Sequence, residues 1–401
     1  MDTENLKMNF PGRQTYHTEE EILIIADSIR NANTLSMGTY LKDFEKKFAE
    51  YLDVKYAFGV SNATAALELA AILSGVGEDD EILVPAHTFT ASALPFLRSS
   101  SKLVFVDIDP DSFLMDLEDL KSKITVKSKV IVPVHLYGAP IDMTELMSIA
   151  KEYNLFVIED CAQAPGAEWR GRKVGTFGDV GCFSFHGQKN ITTLGEGGMI
   201  VTNNPEFEEK ILGLRKIGAR PYKNQDKYWK PAMSNIIEAV PGMLPYNFAL
   251  GEIQALAGNL ILKRIDSINL ARKSYFDKIN KELEDYKELK FQKISDESKS
   301  AYHLLPARFD GSVFGKTRDN LIEDLYIDFG IKCAVQYYPL YNYELFINNG
   351  YSKSAASCPE TDLFFDKMIS FPFKSAMSDD EIDYLVSSIK FVIEKYRNNK
   401  N

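Results

Sequence analysis

Four cysteines, two tryptophans and five histidines are all that the 401-residue chain contains of these types. Cys161, Cys182, Cys333 and Cys358 form no C-x-x-C pair, and His17, His87, His135, His186 and His303 are too scattered to match metal-ligand spacing. Reduced thiols in a cytoplasm and no metal are therefore expected. No apolar run approaches 18 residues, which excludes a membrane-spanning helix. The opening Met1-Asp2-Thr3-Glu4-Asn5 is acidic and polar where an export signal would be basic and then apolar. Positive charge is also in short supply: 46 Lys and Arg against 57 Asp and Glu leave −11, spread along the chain, and a basic nucleic-acid grip is excluded. Repeats, low-complexity stretches and Pro/Gly/Ser linkers are absent. What is present is 45% hydrophobic and 26% charged residues, the composition of a globular protein with ample core.

From about residue 18 to 202 helical patterns and short apolar runs alternate. Thr18 and Glu21 make a capping box opening Thr18–Asn31, an amphipathic stretch covers Leu41–Leu52, and the strand-like Tyr56–Val60 leads straight into a helix over 62–74. Apolar runs follow at Glu81–Pro85, Lys102–Val106, Val130–Val134 and Leu155–Asp160, separated by helical stretches from Thr88, near 116–122 and over 143–153. Strands separated by helices predict an α/β domain with a mostly parallel sheet and right-handed crossovers, covered by helices on both faces. Val180–Phe185 and Gly198–Thr202 read as two further strands around a polar loop. Beyond a helix after Pro205, the segment Arg220–Pro245 has aromatic and proline residues but no period, as functional or interfacial loops often do. A long helical pattern from Phe248 to about Leu283 then leads into Tyr302–Phe309, helix Thr317–Phe329, Lys332–Tyr338 and a closing helix 379–397. This pattern predicts a large domain over 1–250 and a smaller C-terminal α+β domain over 251–401.

The chemistry concentrates in Val157-Ile158-Glu159-Asp160-Cys161-Ala162-Gln163, followed by Phe183-Ser184-Phe185-His186-Gly187-Gln188-Lys189 and Gly195-Glu196-Gly197-Gly198. Asp160 ends a buried strand, where open α/β sheets bind ligands. Ser184 ends another, and Lys189 lies in a loop with glycines behind it. A strand-end carboxylate, a hydroxyl and a loop lysine are what pyridoxal phosphate needs: the amine for a Schiff base with the aldehyde, the carboxylate to keep the pyridine nitrogen protonated, the hydroxyl for the phosphate. Ser61-Asn62-Ala63-Thr64-Ala65-Ala66-Leu67 supplies a helix N-terminus, with free N–H groups and the positive dipole end. Singly, each feature has a plainer reading: a solvated lysine, a capping Asp, an Asn N-cap, a tight glycine turn. Order and spacing make the pattern.

These residues resemble the DegT/DnrJ/StrS-type sugar aminotransferases, pyridoxal-phosphate enzymes with the aspartate-aminotransferase fold (fold type I). The similarity runs from about Ser28 to Tyr384, through Ser61–Leu67, Val104–Asp109, Val132–Gly138, Val157–Gly166, Gly178–Gly198, Tyr246–Gly258 and Arg318–Ile331. The resemblance implies Lys189 as the Schiff-base lysine and proton carrier, Asp160 as the pyridinium partner and Gln163 as neighbour of the ring's phenolic oxygen. It further implies Phe89 as the ring-stacking aromatic, Thr64, Ala65 and Ser184 at the phosphate, and Asn247 reaching the phosphate of the neighbouring subunit, hence a homodimer with shared active sites. Locally, Phe89 reads as core, Asn247 as a helix N-cap and His186 as a satisfied loop histidine. Two departures stand out: Ala63 replaces the usual glycine before the threonine, and Gln336-Tyr337-Tyr338-Pro339 stands where relatives commonly carry His-Tyr.

The implied reaction is a two-step transamination through pyridoxamine 5'-phosphate, from an amino acid, most often L-glutamate, to a ketone of a nucleotide-linked keto-deoxy sugar for surface polysaccharide or glycoconjugate synthesis, as in O-antigen. Three alternatives stand beside it. Related dehydratases carry histidine at the lysine position, which Lys189 argues against. A small non-nucleotide ketone, phosphorylated or not, would keep the chemistry and change the acceptor. A non-catalytic binding or regulatory protein on the same fold would be expected to lose the lysine or the aspartate, and both are here.

Overall fold

The computed structural model describes residues 6–10, 12–219 and 236–398. Its first helix, Glu19–Asn31, is opened by the expected capping box: Thr18 Oγ1 accepts from the Glu21 N–H, and the Glu21 carboxylate accepts from the Thr18 N–H at 2.9 Å. The centre is a seven-stranded sheet. Its strands are β1 (Tyr56–Val60), β2 (Glu81–Pro85), β3 (Lys102–Val106), β4 (Ser128–Ile131), β5 (Phe156–Asp160) and, beyond a small hairpin of β6 (Glu168–Trp169) and β7 (Arg172–Lys173), β8 (Val180–Ser184) and β9 (Gly198–Thr202). The spatial order is β1-β9-β8-β5-β4-β2-β3, with β9 antiparallel to both neighbours and the other pairings parallel.

The central strands are apolar at consecutive positions because both faces are covered. Ile82, Val84, Val130 and Ile158 point to one side, packing with Ala66, Leu69 and Ala70 of the helix Ala63–Leu73. Leu83, Ile131 and Val157 point to the other, against Leu146 and Ile149 of the helix Met143–Glu152. β4 stops at Ile131 rather than Val134 because Pro133 has no N–H for the ladder, although its carbonyl still accepts from Asp160.

Three further strands, β10 (Leu289–Phe291), β12 (Leu305–Phe309) and β13 (Met368–Phe371), form an antiparallel sheet, while β11 (Ser298–Lys299) joins the β6–β7 hairpin. Helices Arg318–Phe329 and Asp379–Asn398 cover the smaller sheet. The expected single helix from Phe248 to Leu283 is two, Glu252–Leu262 and Ile265–Glu282. The chain turns between them at Arg264, whose guanidinium forks onto Glu21 at 2.8 and 2.9 Å. Asn247 is not the N-cap: Gly251 holds that position, and Asn247 pairs by backbone with Lys216. Lys332–Tyr338 forms no continuous strand: the Lys332 N–H bonds Met8 O, Ala334 and Ser370 exchange reciprocal bonds, and the chain then turns to wall the site described below.

Packing crosses residue 250 in both directions. Ile261, Leu262 and Ile265 pack with Leu41, Phe44 and Phe48, whereas Phe276 and Ile279, further along the same helix, belong to the smaller core. Leu340, Tyr341 and Phe346 return to pack against Ile82 and Val84. Of the irregular 220–245 segment, residues 220–235 lie outside the described residues.

Candidate active site

Parallel strands bring their C-terminal ends to one edge, and the antiparallel β9 brings its first residue there: Gly198 pairs with both Val60 and Ser184. A cavity of ≈350 Å³ opens at this edge, lined by Thr64, Phe89, Asp160, Gln163, Ser184 and Lys189 among others. Ala65 and Asn247 do not line it. The Ala65 N–H is taken by Asn62 Oδ1 at 2.9 Å, and Asn247 is exposed.

The N-terminus of helix Ala63–Leu73 points its unpaired first N–H groups at the cavity, where Asn62, Ala63 and Thr64 sit. Gly198 permits this approach: a Cβ there would stand 2.5 Å from the carbonyl carbon of Asn62 and 2.8 Å from the Ala63 nitrogen. Ser184 Oγ lies opposite, accepting from the His186 N–H at 3.3 Å.

Asp160 is buried at the β5 end. Ser92 Oγ donates to its Oδ2 at 2.8 Å and the Ala162 N–H to its Oδ1 at 3.0 Å. Burial raises the carboxyl above its ordinary range, opposed by those two donors and by the positive charge of Lys189. Its neighbour Glu159 points to the other face of the sheet and is wholly buried. Its oxygens accept from the backbone N–H groups of Gly175, Phe177 and Gly178, each at 2.7 Å, and bond His135 Nε2 at 3.1 Å. Glu159 thus ties the turn before β8 to β5 and sets where Ser184 emerges. Cys161 Sγ lies in the same cluster.

Lys189 is half-buried in the loop after β8, its N–H donating to His186 O at 2.9 Å while Gly187 N–H bonds Gly195 O. Loss of solvation lowers the ammonium pKa to about 8, with Asp160 opposing. His186 lines the cavity and its Nδ1 accepts from the Gln188 N–H at 3.2 Å, so the satisfied loop histidine is also a wall residue. Gln163 bridges two tyrosines: its Oε1 accepts from Tyr137 N–H at 2.7 Å and its Nε2 donates to the Tyr337 hydroxyl at 2.8 Å. Phe89 is 54% exposed rather than core, its ring 5.8 Å from that of Tyr337.

Several residues of the site carried no sequence signal. Ser92 lies on a one-turn 3₁₀ helix, Phe10 and Gln14 come from the N-terminal strap, and His303 comes from the C-terminal third; Tyr337, by contrast, belongs to the string that departs from the family pattern. Phe10, Gln14 and His303 reach the cavity, and Ser92 reaches the Asp160 carboxylate, only through long-range packing.

A model of the DegT/DnrJ/EryC1/StrS aminotransferase family matches residues 16–390. The chain belongs to this family. A GDP-perosamine synthase of Escherichia coli O157:H7 is 34% identical over 88% of this chain and 90% of that enzyme. A UDP-N-acetyl-3-dehydro-alpha-D-glucosamine 3-aminotransferase of Acidithiobacillus ferrooxidans is 31% identical, covering 92% and 93%. A putative sugar aminotransferase of Streptococcus pneumoniae, solved in its PMP form, superposes with a TM-score of 0.86 at 29% identity over 97% of this chain and all of that one. The protein is thus a pyridoxal-phosphate-dependent sugar aminotransferase of fold type I.

The donor set fits that cofactor. Free helix N–H groups and two hydroxyls suit a phosphate, a buried carboxylate suits a protonated ring nitrogen, and the lysine amine of the same cavity suits an aldehyde. No helix among the described residues is long and apolar enough to cross a membrane.

Proposed function

We propose that this sugar aminotransferase moves the amino group of an amino acid, with L-glutamate as donor, to the ketone of a nucleotide-linked keto-deoxy sugar in polysaccharide or glycoconjugate synthesis. The observation that carries the reading is the convergence of Lys189, Asp160, Ser184 and the helix N-terminus at Thr64 on one cavity. The relatives acting on GDP- and UDP-linked sugars support the acceptor class. When bound, pyridoxal phosphate supplies the electron sink that acidifies the α-proton of the amino acid.

The chain's residues would do the rest. Lys189 Nζ would hold the cofactor through its aldehyde, and as a free amine would take up and return the α-proton of the amino acid. A pKa lowered to about 8 keeps part of this amine neutral near physiological pH. Asp160 keeps the ring nitrogen protonated, and Ser92 and Ala162 keep Asp160 charged. Thr64 and Ser184 hold the phosphate, with the helix N-terminus around Ala65. Phe89, exposed at the cavity rim, stacks on the ring, and Gln163 stands by the phenolic oxygen.

Asn247 lies outside its own cavity, and helix Glu19–Asn31 exposes Ile22, Leu23 and Ile29. Both features support a homodimer in which Asn247 reaches the neighbour's phosphate. Mixing Lys189→Ala and Asn247→Ala chains should then restore activity, because one site of each hybrid carries both lesions and the other neither; hybrids as inactive as the parents would refute the shared site. The four unpaired cysteines suit a reducing compartment, the cytoplasm.

An absorbance titration tests the whole reading. L-glutamate should bleach the visible band of the loaded enzyme, and a nucleotide-linked keto-sugar should restore it. Restoration by nucleotide-free ketones alone would move the acceptor to that class, and a chain that never takes up pyridoxal phosphate would refute the chemistry.

A further inference from the structure

Beneath Lys189 runs a chain of buried amides whose direction is set by two backbone carbonyls. Asn269 Nδ2 donates to Pro165 O at 2.9 Å, which leaves its Oδ1 to accept from Asn190 Nδ2 at 3.0 Å. The same Asn190 nitrogen donates to Ala301 O at 2.7 Å, so the Asn190 oxygen faces the other way, 3.0 Å from His303 Nδ1. An amide oxygen can only accept, and Nδ1 therefore carries a proton. A neutral ring then has its lone pair at Nε2.

Turning the ring would leave the buried Asn190 oxygen without its donor, and the backbone on either side is held in place. His303 is 4% exposed, its N–H donates to Tyr137 O at 2.8 Å, and the Arg272 guanidinium binds the carbonyl oxygens of both Tyr302 and His303, at 2.6 and 2.5 Å. Burial, reinforced by the charges of Lys189 and Arg272, holds the imidazole pKa well below its ordinary value and keeps the ring neutral. His303 lines the same cavity as Lys189, and no hydrogen bond reaches its Nε2 from the described residues. The cavity wall therefore presents a fixed acceptor that has no donor of its own.

We propose that His303 is a specificity-determining residue of the acceptor site, its Nε2 accepting a hydrogen bond from a hydroxyl of the keto-sugar. The inference rests on the sugar reading and deepens it. A neutral acceptor repels the carboxylates of a dicarboxylic amino donor, whereas a sugar ring offers O–H donors. His303 therefore distinguishes the second substrate from the first.

Two substitutions separate the ring's two nitrogens. In His303→Asn the amide nitrogen takes the place of Nδ1, keeping the bond to Asn190 and removing the acceptor. In His303→Gln the carboxamide reaches the place of Nε2 and restores an acceptor. For His303→Asn we expect the keto-sugar KM to rise about tenfold, the scale of one neutral hydrogen bond, with the glutamate half-reaction and the cofactor spectrum unchanged. His303→Gln should recover most of that loss. Unchanged keto-sugar KM in His303→Asn, or equal damage to both half-reactions, would overturn the proposal.

Wild-type enzyme offers a test that needs no variant to fold. Among singly deoxygenated keto-sugars one should show the same tenfold rise in KM, and a series in which every member keeps the parent KM would overturn the assignment. Failure of the sugar reading looks different, since no keto-sugar would then turn over in the wild type, and both conclusions would fall.

Discussion

Ser92→Ala removes a single oxygen from a fully buried position and leaves the Asp160 carboxylate with one donor among the described residues, the Ala162 N–H. A hydrogen bond to a charged group contributes about 1.5–3 kcal/mol, and 1.36 kcal/mol corresponds to one pH unit, so the Asp160 pKa should rise by about 1–2 units. The direction follows from the site. Burial already raises the carboxyl, Ser92 opposes that rise, and its loss lets protonation begin at higher pH. The cofactor's ring nitrogen needs the ionised form, so retention of pyridoxal phosphate falls as pH drops through this pKa. Visible absorbance of loaded wild type and Ser92→Ala, dialysed across a descending pH series, should show acid limbs displaced by that amount. The alkaline limb, governed by Lys189, should stay in place. Asp160→Asn marks the limit, with weak retention at every pH. Superimposable acid limbs, or a shift to lower pH, would refute the role given to Ser92.

Four other outcomes follow from the same geometry. Lys189→Ala should lose the visible band and turnover; in the wild-type apo chain, uptake of pyridoxal phosphate should accelerate with pH around a midpoint near 8, read by stopped-flow absorbance. Gly198→Ala forces a methyl against the Asn62 backbone, so about 1–3 kcal/mol of stability should go, together with affinity for inorganic phosphate measured by calorimetry. Arg272→Met orphans the buried carbonyl oxygens of Tyr302 and His303 at about 1–3 kcal/mol each, and urea unfolding should show a loss of several kcal/mol.

Local patterns were legible because their causes lie within a few residues. The capping box at Thr18, the alternation of strands and helices and the spacing from Asp160 to Ser184 to Lys189 all rest on backbone propensity and near neighbours. They were enough for the fold class and the cofactor chemistry, while the family came from the resemblance of longer stretches, Ser61–Leu67 to Arg318–Ile331. The β13 strand, Met-Ile-Ser-Phe directly behind the helix Pro359–Lys367, went unseen because no turn residue separates it from the helical pattern. Lys332–Tyr338 looked like a strand because alternation cannot show whether a partner edge is free.

The sequence alone determined which chemistry the chain could perform: an amine, a carboxylate and a helix mouth at spacings that a parallel sheet converts into one strand-end cluster. Tertiary structure alone decided what surrounds that cluster. Ser92 is 68 residues from Asp160, Asn190 is 113 from His303, and Gln163 is 174 from Tyr337, yet each pair shares a hydrogen bond. Proton positions and substrate-facing lone pairs are set by such contacts, and distances of that kind are properties of the packed core, not of any stretch of chain.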